Sequence, residues 1–275
     1  MLLREASPYS TPLRRMGNRS GLAVVLGGLF VVLAGCEPVP PAARKMLLTA
    51  SANYGRAEYA AAVQSATTFM QHFGSSPVAP EALYVRAISR VQLGDRVAAR
   101  SDFVACVENT NRDDLRAYAR TMLGHLAFDD GNHAAAVSYY ADALPHLPNQ
   151  PPTDEALYRY GVCLQHLGRW DEARAPFSRL LHAFQDSAHV AAARRRFAWP
   201  HPWFAIQCGA FGRVDNANQL AADLSRKGLS AKATFAELDG KGLWRVLSGQ
   251  YPTYAAALAD LPRVRAIQPG ALIVP

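Results

Sequence analysis

Two hydrophobic patterns divide the chain. Over residues 44–198, apolar side chains recur at the spacing of amphipathic helices, in stretches that short polar turns separate. From Trp199 onward, Pro200 and Pro202 stop helix formation, and short alternating stretches typical of strands interleave with helical ones. The pattern predicts a multidomain protein in which an all-α region precedes a small α+β domain.

The helical region repeats with a fixed period. Gly94, Gly131 and Gly168 lie 37 residues apart, and each stands between two apolar stretches. Each glycine follows a small residue by seven positions, and it precedes an alanine by five positions and an aromatic residue by nine. These positions hold Ala87, Gly124 and Gly161, then Ala99, Ala136 and Ala173, and then Phe103, Tyr140 and Phe177. Small residues let antiparallel helices approach closely, so the period predicts stacked helical hairpins.

The same frame extends one period towards the N-terminus. Ala57, Ala62 and Phe69 fit it, so about four units are expected, the first beginning near Ala43. The spacing resembles tetratricopeptide repeats, and residues 170–173 (WDEA) are similar to the usual start of their second helix. The period looks most like the periplasmic repeats of the outer-membrane assembly lipoprotein and of the Tol-associated division coordinator. The resemblance implies a tetratricopeptide-type helical solenoid.

Such stacks expose a concave face, built by the first helix of each pair, that binds an extended or helical peptide. Projection of the repeat frame places nine residues along this groove: Tyr84, Ile88, Gln92, Thr121, His125, Asp129, Tyr158, Gln165 and His166. An alternative is that Tyr84 and Tyr158 pack between adjacent helices. Residues 194–196 (RRR) end the last helix, where a solvated face is favoured over an anion site.

The N-terminal segment has the pattern of a bacterial secretory signal. An arginine-bearing start precedes the apolar run Gly21–Gly35, which is too short for a permanent membrane span. Residues 33–36 (LAGC) resemble the lipobox of bacterial lipoproteins, which implies cleavage before Cys36 and its acylation. A multiply acylated Cys36 would be a durable anchor in the bilayer. The alternative is an ordinary buried cysteine in a membrane helix.

Neighbouring residues refine this interpretation. Met16 gives a signal of ordinary length and is the better start. Glu37 favours the outer membrane over the inner membrane, because the retention signal of the lipoprotein family is usually Asp at that position. Pro38, Pro40 and Pro41 predict a stiff, extended linker that separates the folded part from the bilayer.

The last 75 residues predict the order βαββαβ. The expected strands are Trp203–Cys208, Ala231–Leu238, Leu243–Ser248 and Ala271–Val274, and the expected helices are Asp215–Lys227 and Thr253–Leu261. Such a ferredoxin-like or RNP-like unit packs two helices on one face of a four-stranded antiparallel sheet and leaves the other face open. Strand alternation assigns Phe204, Ile206, Cys208 and Val246 to the core, and Gln207, Leu243, Arg245 and Leu247 to the open face.

The sequence of this region resembles the SPOR domain. The segments that carry the resemblance are residues 204–211 (FAIQCGAF) and 244–249 (WRVLSG), and the resemblance spans residues 203–275. It implies binding to peptidoglycan glycan strands without stem peptides, which are enriched where daughter cells separate. The motif positions assign Gln207 and Arg245 as glycan-binding residues, whose side chains suit sugar hydroxyl and acetamido groups.

Three further positions join the predicted glycan site: Phe211, Leu243 and Trp244. Ala210 stands where some family members have serine, which removes one hydrogen bond. Leu243 stands where members often carry an aromatic residue, so Trp203, Trp244 or Tyr251 would have to supply sugar stacking.

Composition excludes several other classes. The net charge of +7 falls to +4 without the first 35 residues, and the last domain has eight basic and five acidic residues, which argues against RNA as the ligand of the sheet. No nucleotide-binding, hydrolase or metalloprotease motif is present, and the eight histidines lack ligand spacing. We therefore expect no enzyme, no cofactor and no metal.

The acidic residues near the expected hairpin and the cysteines are interpreted as structural and not as catalytic. Glu237 and Asp239 could pair as glycosidase carboxylates, but a hairpin tip favours solvated acids. Cys106, Cys163 and Cys208 are expected to be buried thiols.

The sequence thus predicts four segments: a signal peptide (1–35), a lipidated linker (36–43), helical repeats (44–198) and a SPOR domain (199–275). The function expected is that of a periplasmic lipoprotein of the outer membrane that binds septal glycan and recruits a protein partner, in cell division or envelope organisation. The alternative is a scaffold for outer-membrane protein or lipid assembly that uses the SPOR domain as a wall tether. A wall-cleaving enzyme is a third hypothesis.

Overall fold

The computed structural model describes residues 39–238 and 241–275. The expected signal segment, the start at Met16, the acylation site Cys36, Glu37 and Pro38 lie outside these residues, as does Asp239. In the described part of the chain, no helix combines the length and the apolar character that a membrane crossing requires.

The helical region consists of antiparallel pairs. Its helices are α1 (Pro41–Gly55), α2 (Tyr59–Phe73), α3 (Ala79–Gln92), α4 (Arg96–Asn109), α5 (Asp113–Asp129), α6 (His133–Ala143), α7 (Thr153–His166), α8 (Trp170–Ala183) and α9 (Val190–Phe197). The pairs are α1 with α2, α3 with α4, α5 with α6, and α7 with α8, while α9 packs on α8. The chain forms two compact units, of which the first ends at Thr110 and the second begins at Asn111.

The turn inside each hairpin is set by a residue with positive φ. Gly94, Gly131 and Gly168 adopt φ values of +82°, +74° and +77°, and Ala57 adopts +61° at the same position of the first pair. In each turn the backbone N–H of the next residue reaches back to a carbonyl five residues earlier, as from Asp95 to Arg90. This bond satisfies a carbonyl at the end of the first helix, which explains the glycine period.

Side-chain caps then start the second helices of two hairpins. The Asp95 carboxylate accepts a hydrogen bond from the Ala98 backbone N–H, and the Asn132 side chain accepts one from the Ala135 N–H. Each bond pairs a backbone donor that the first helical turn leaves unsatisfied.

Small residues seven positions before the turn receive the aromatic ring of the partner helix. A Cβ atom added at Gly124 would lie 2.7 Å from the Tyr140 ring, and one added at Gly161 would lie 2.6 Å from the Phe177 ring. Both rings are almost fully buried. The structure therefore confirms the close helix approach that the small residues predict.

In the first unit, one buried carboxylate joins two helices. Asp102 on α4 accepts hydrogen bonds from Arg86 and Arg90 on α3, at 2.6–2.9 Å. Asp102 is buried, and two guanidinium partners offset the cost of removing its charge from water.

The C-terminal part of the second unit is an antiparallel sheet with two helices. Its elements are β1 (Phe204–Phe211), α10 (Val214–Arg226), β2 (Ala231–Leu238), β3 (Lys241–Tyr251), α11 (Tyr254–Ile267) and β4 (Leu272–Val274). The strand order is β2-β3-β1-β4. The core beneath the helices includes Ile206, Cys208, Leu224, Val246 and Val264. The expected fold class, a tetratricopeptide-type solenoid followed by a small α+β domain, is confirmed.

Some element boundaries differ from the expected ones. Helix α1 begins at Pro41, inside the expected linker, because proline is compatible with the first helical position. Helix α11 continues through Pro262 to Ile267 instead of ending at Leu261. Strands β1 and β3 extend beyond Cys208 and Ser248.

Candidate functional site

The sheet has one face under the helices and one opposite face, here called the glycan face. Strand register places Gln207 beside Leu247 and Leu272, and Arg245 beside Thr234 and Ala210. Residues on the glycan face thus come from all four strands: Lys232, Thr234, Leu243, Arg245, Leu247, Ala205, Gln207, Ala210, Leu272 and Val274. The expectation that Gln207 and Arg245 share a face is confirmed by this register.

Gln207 and Arg245 contact each other directly. The Arg245 Nε–H donates to Gln207 Oε1 at 2.6 Å. The Arg245 side chain is buried, and in the described residues no carboxylate pairs with it. Burial lowers the pKa of the Arg245 guanidinium below its ordinary value. Among the described residues its two terminal nitrogens have no hydrogen-bond partner, and a guanidinium offers such N–H groups in a planar fork.

The segment before β1 covers part of the glycan face. The Arg245 guanidinium carbon lies 5.2 Å from the centroid of the Trp199 ring, within the range of a cation–π contact. Trp199 and Trp203 also pack on Ala205 and Leu247. The Trp199 Nε1–H donates to the Trp203 carbonyl oxygen at 2.8 Å, which fixes the turn between them.

An aromatic group therefore lies beside the predicted site. The rings of His201 and Trp203 stack at 4.2 Å, and the Trp199 ring meets both edge-on. Sequence reasoning named Trp203 as a possible substitute for the aromatic residue missing at Leu243, but it missed Trp199. The signal available was the high aromatic content of residues 199–203 (WPHPW), of which only Trp203 was considered for sugar stacking.

Two predicted glycan-binding residues lie on the other face. Phe211 and Trp244 pack against the core beneath the helices, and Phe235 contacts the Trp244 ring edge-on at 5.4 Å. Strand alternation explains this placement, because Trp244 is next to Arg245 and points the opposite way. Leu243 lies on the glycan face and is half-buried. Leu247, expected to point outward to solvent, is buried under the Trp199–Trp203 segment.

The predicted peptide groove is largely internal. Five of its nine residues are buried between helices: Tyr84, Ile88, Thr121, His125 and Gln165. The Tyr84 ring meets Phe103 edge-on, as the packing alternative proposed. The Tyr158 ring is half-buried and stacks on His189 at 5.1 Å. A frame projected from sequence spacing gives positions along a helix but does not separate its inner side from its solvent side.

The neighbours of His125 show why that residue is internal. Its Nδ1 lies 2.8 Å from the Tyr140 hydroxyl, joining α5 to α6. Burial lowers the pKa of His125 to about 4, with a further contribution from the Arg159 charge. Burial also raises the pKa of Tyr140. Both groups are therefore neutral at physiological pH and act as a structural hydrogen bond.

A charged cluster remains on the side of the second unit where α5 and α7 meet. Arg159 donates to Asp129 and to Glu155, both at 2.7 Å, and its guanidinium lies over the Phe128 ring. Sequence reasoning found Asp129 but missed Arg159 and Glu155. Their spacing of four residues on one helix is a signal for an ion pair.

The last repeat and the sheet domain contact each other within the second unit. The His166 ring stacks on Tyr254, and the Trp170 Nε1–H donates to the Pro252 carbonyl oxygen at 3.2 Å. Phe204 lies against both Trp170 and His166, so it packs on the last repeat as well as on its own sheet.

Gln165, placed in the groove by sequence, instead joins α7 to α9. Its amide oxygen accepts from the Arg196 guanidinium at 2.8 Å. Arg196 is buried, which differs from the expected solvated face, whereas Arg194 and Arg195 are exposed.

The cysteines and the acidic residue Glu237 lie in surroundings that fit a structural role. Cys106, Cys163 and Cys208 are buried thiols, as expected, and burial raises the pKa of Cys163 to about 12. Glu237 is exposed near the β2–β3 hairpin. Among the described residues, no cluster of three or more histidine, cysteine or acidic side chains is arranged to hold a metal ion.

Comparison with protein families identifies both parts of the chain. Residues 201–275 match the SPOR domain model, and residues 84–151 and 127–197 match two tetratricopeptide repeat models. The chain therefore carries tetratricopeptide repeats and a C-terminal SPOR domain, and both resemblances found in the sequence are confirmed. These are binding modules: a SPOR domain implies peptidoglycan binding and association with the cell envelope, and the repeats imply interaction with a protein.

Three solved structures are similar to parts of the chain. A tetratricopeptide repeat protein from Parabacteroides merdae is 14% identical, with 68% of each chain covered and a TM-score of 0.49. MamA AMB-1 is 18% identical over 57% of this chain and 76% of that chain, with a TM-score of 0.43. A thermophilic TPR protein from Thermus thermophilus is 22% identical over 57% of this chain and 79% of that chain, with a TM-score of 0.38. No curated protein matches the chain.

Proposed function

We propose that the protein is a lipid-anchored envelope protein that binds stem-less peptidoglycan glycan through the glycan face and holds a protein partner on its repeats. The observation that carries the glycan part is the Arg245–Gln207 pair. It keeps a buried guanidinium without a carboxylate partner in the described residues, beside the Trp199 ring. A buried charge without a counter-ion costs folding free energy, and a ligand carboxylate bound to Arg245 would offset that cost.

The chemistry of the pair suits a sugar polymer. The free N–H groups of Arg245 can donate to hydroxyl, acetamido or carboxylate oxygens, and the indole ring of Trp199 offers an apolar surface for a sugar ring. Removal of a stem peptide by hydrolysis of its amide leaves a carboxylate on the muramyl lactyl group. A guanidinium pairs with a carboxylate more strongly than with an amide, which favours stripped strands.

For the partner, the cluster of Asp129, Glu155 and Arg159 supports a polar contact surface. The three side chains are less than one-third exposed, so their positions are held before a partner arrives. We propose that a segment of a partner protein binds this surface. The lipid anchor and the wall contact would together hold the protein at one site, which raises its effective concentration near that partner by bivalency. The expected preference for septal glycan favours a role of the protein in cell division.

The test is co-sedimentation of the purified protein with isolated sacculi, before and after amidase treatment. We expect the bound fraction to rise after stripping. Equal binding to both preparations would contradict the preference for stem-less strands, and no binding to either would contradict the glycan assignment.

A fluorescent fusion tests the cellular part: septal enrichment supports a division role, and a uniform peripheral signal with intact wall binding supports the assembly scaffold instead. A zymogram tests for wall cleavage, for which no band is expected.

A further inference from the structure

A second concave site lies next to the glycan face. It is a cavity of about 170 Å³ between the last repeat and the segment that leads into the sheet. Its walls include Trp170 and Arg174 on α8, Phe197 on α9, and Trp199 and His201 of the connecting segment. None of these residues was assigned a binding role from the sequence.

Trp199 is a wall of both sites. On the glycan face, the Arg245 guanidinium carbon lies 5.2 Å from the centroid of the Trp199 ring. The same Trp199 side chain lines the cavity. A polymer that lies along the glycan face and passes Trp199 would therefore reach the cavity without leaving the protein surface.

The cavity combines aromatic walls with positive charge. The Arg174 guanidinium lies 4.6 Å from the centroid of the Phe197 ring, and Arg174 is exposed, with no ion-pair partner in the described part of the chain. Arg196 also lines the cavity, and Asp171 is its acidic residue. Aromatic walls suit the apolar faces of sugar rings, and a guanidinium beside a ring offers its fork of N–H groups to a carboxylate.

We infer that this cavity is a second glycan subsite that binds a carboxylate-bearing sugar of the strand already held by the glycan face. The inference rests on the proposed function, because the occupant is the continuation of that strand. It also means that the last tetratricopeptide hairpin is part of the wall-binding surface, and that residues outside the SPOR domain contribute to affinity.

The experiment measures binding of the full chain to amidase-stripped glycan strands of two lengths by microscale thermophoresis. The variants are Arg174→Ala, Phe197→Ala and Arg245→Ala. Arg195→Ala is the matched control, because Arg195 is an exposed arginine nearby that does not line the cavity. Chitin oligosaccharides serve as a second probe, since they have the same sugar backbone without lactyl carboxylates. Circular dichroism checks that each variant keeps its helical content.

We expect Arg174→Ala and Phe197→Ala to weaken binding of long stripped strands by about tenfold, with a smaller loss for short strands and no loss for Arg195→Ala. On chitin oligosaccharides, Arg174→Ala should bind as the unmodified protein does. If both cavity variants bind long stripped strands with unchanged affinity while Arg245→Ala loses binding, the second subsite is wrong and the proposed function stands. If Arg245→Ala also binds unchanged, the glycan face itself is wrong.

Discussion

The imidazole ring of His166 lies parallel to the phenol ring of Tyr254, with centroids 4.2 Å apart and an angle of 4° between the planes. His166 ends the first helix of the last repeat, and Tyr254 begins the second helix of the SPOR domain. The stack is supported by His133, whose Nε2 lies 2.9 Å from His166 Nδ1. This contact joins the two modules, so their stabilities should be coupled.

Tyr254→Ala should lower the free energy of unfolding by about 1–3 kcal/mol, because an aromatic stack and partly buried area are lost. It should also separate the unfolding of the repeats from that of the SPOR domain in differential scanning calorimetry. Leu258→Ala is the control, since Leu258 is half-exposed on the same helix. An identical thermogram for Tyr254→Ala would show that the stack does not couple the modules.

Acid should destabilise the same junction. Burial lowers the pKa of His166 to about 2, with further contributions from the Arg196 and His133 charges. In the unfolded chain the imidazole takes up a proton near its ordinary pKa of about 6.5, so the unfolded state binds more protons below that pH and stability falls as pH falls. His166 alone should cost about 2 kcal/mol between pH 7 and pH 5.

Urea unfolding at the two pH values measures this dependence. The variant His166→Gln should show a shallower decline, and His72→Gln, which changes an exposed histidine on α2, should decline as the unmodified protein does. The prediction fails if His166→Gln and the unmodified protein lose the same stability.

The first hairpin offers a stabilising substitution. Ala57 adopts φ +61°, where the other three hairpins have glycine. A residue with a Cβ is strained in this region, so Ala57→Gly should raise the free energy of unfolding by about 1 kcal/mol. Gly94→Ala, at the matching turn, should lower it by a similar amount. Chemical denaturation of both variants measures the two effects, and a shift of equal sign in both would contradict the role assigned to this turn.

The close approach of helices α7 and α8 can be tested at Gly161. An added methyl group would lie 2.6 Å from the Phe177 ring, which is buried and has little space to move, so Gly161→Ala should cost about 1–3 kcal/mol. Gly55→Ala is the matched control, because nothing lies within 4 Å of a Cβ atom added there. Equal thermal midpoints for the two variants would argue against close packing at Gly161.

The repeats were predictable because their turn chemistry is local. A glycine with positive φ, a small residue seven positions earlier and an aromatic residue nine positions later are all properties of neighbouring sequence. The same applies to the shared face of Gln207 and Arg245, which follows from strand alternation and register.

The surroundings of the site were not predictable in this way. The position of Trp199 over Arg245 depends on the path of a segment with no regular secondary structure. The burial of Thr121 and His125 depends on how neighbouring helices pack, which a repeat frame alone does not give. The contact of Phe204 with Trp170 joins parts of the chain more than 30 residues apart.

The Arg245–Gln207 pair is the centre of the proposed glycan site. The affinity of the purified protein for amidase-stripped glycan strands tests this pair most directly. Arg245→Ala and Gln207→Ala are compared with Arg213→Ala, whose exposed side chain pairs with Asp215 at the surface. We predict that the first two variants keep the thermal transition and lose affinity by tenfold to about a hundredfold, because charge-assisted hydrogen bonds contribute about 1.5–3 kcal/mol. Unchanged affinity in folded Arg245→Ala would contradict the assignment of the glycan face as the binding site.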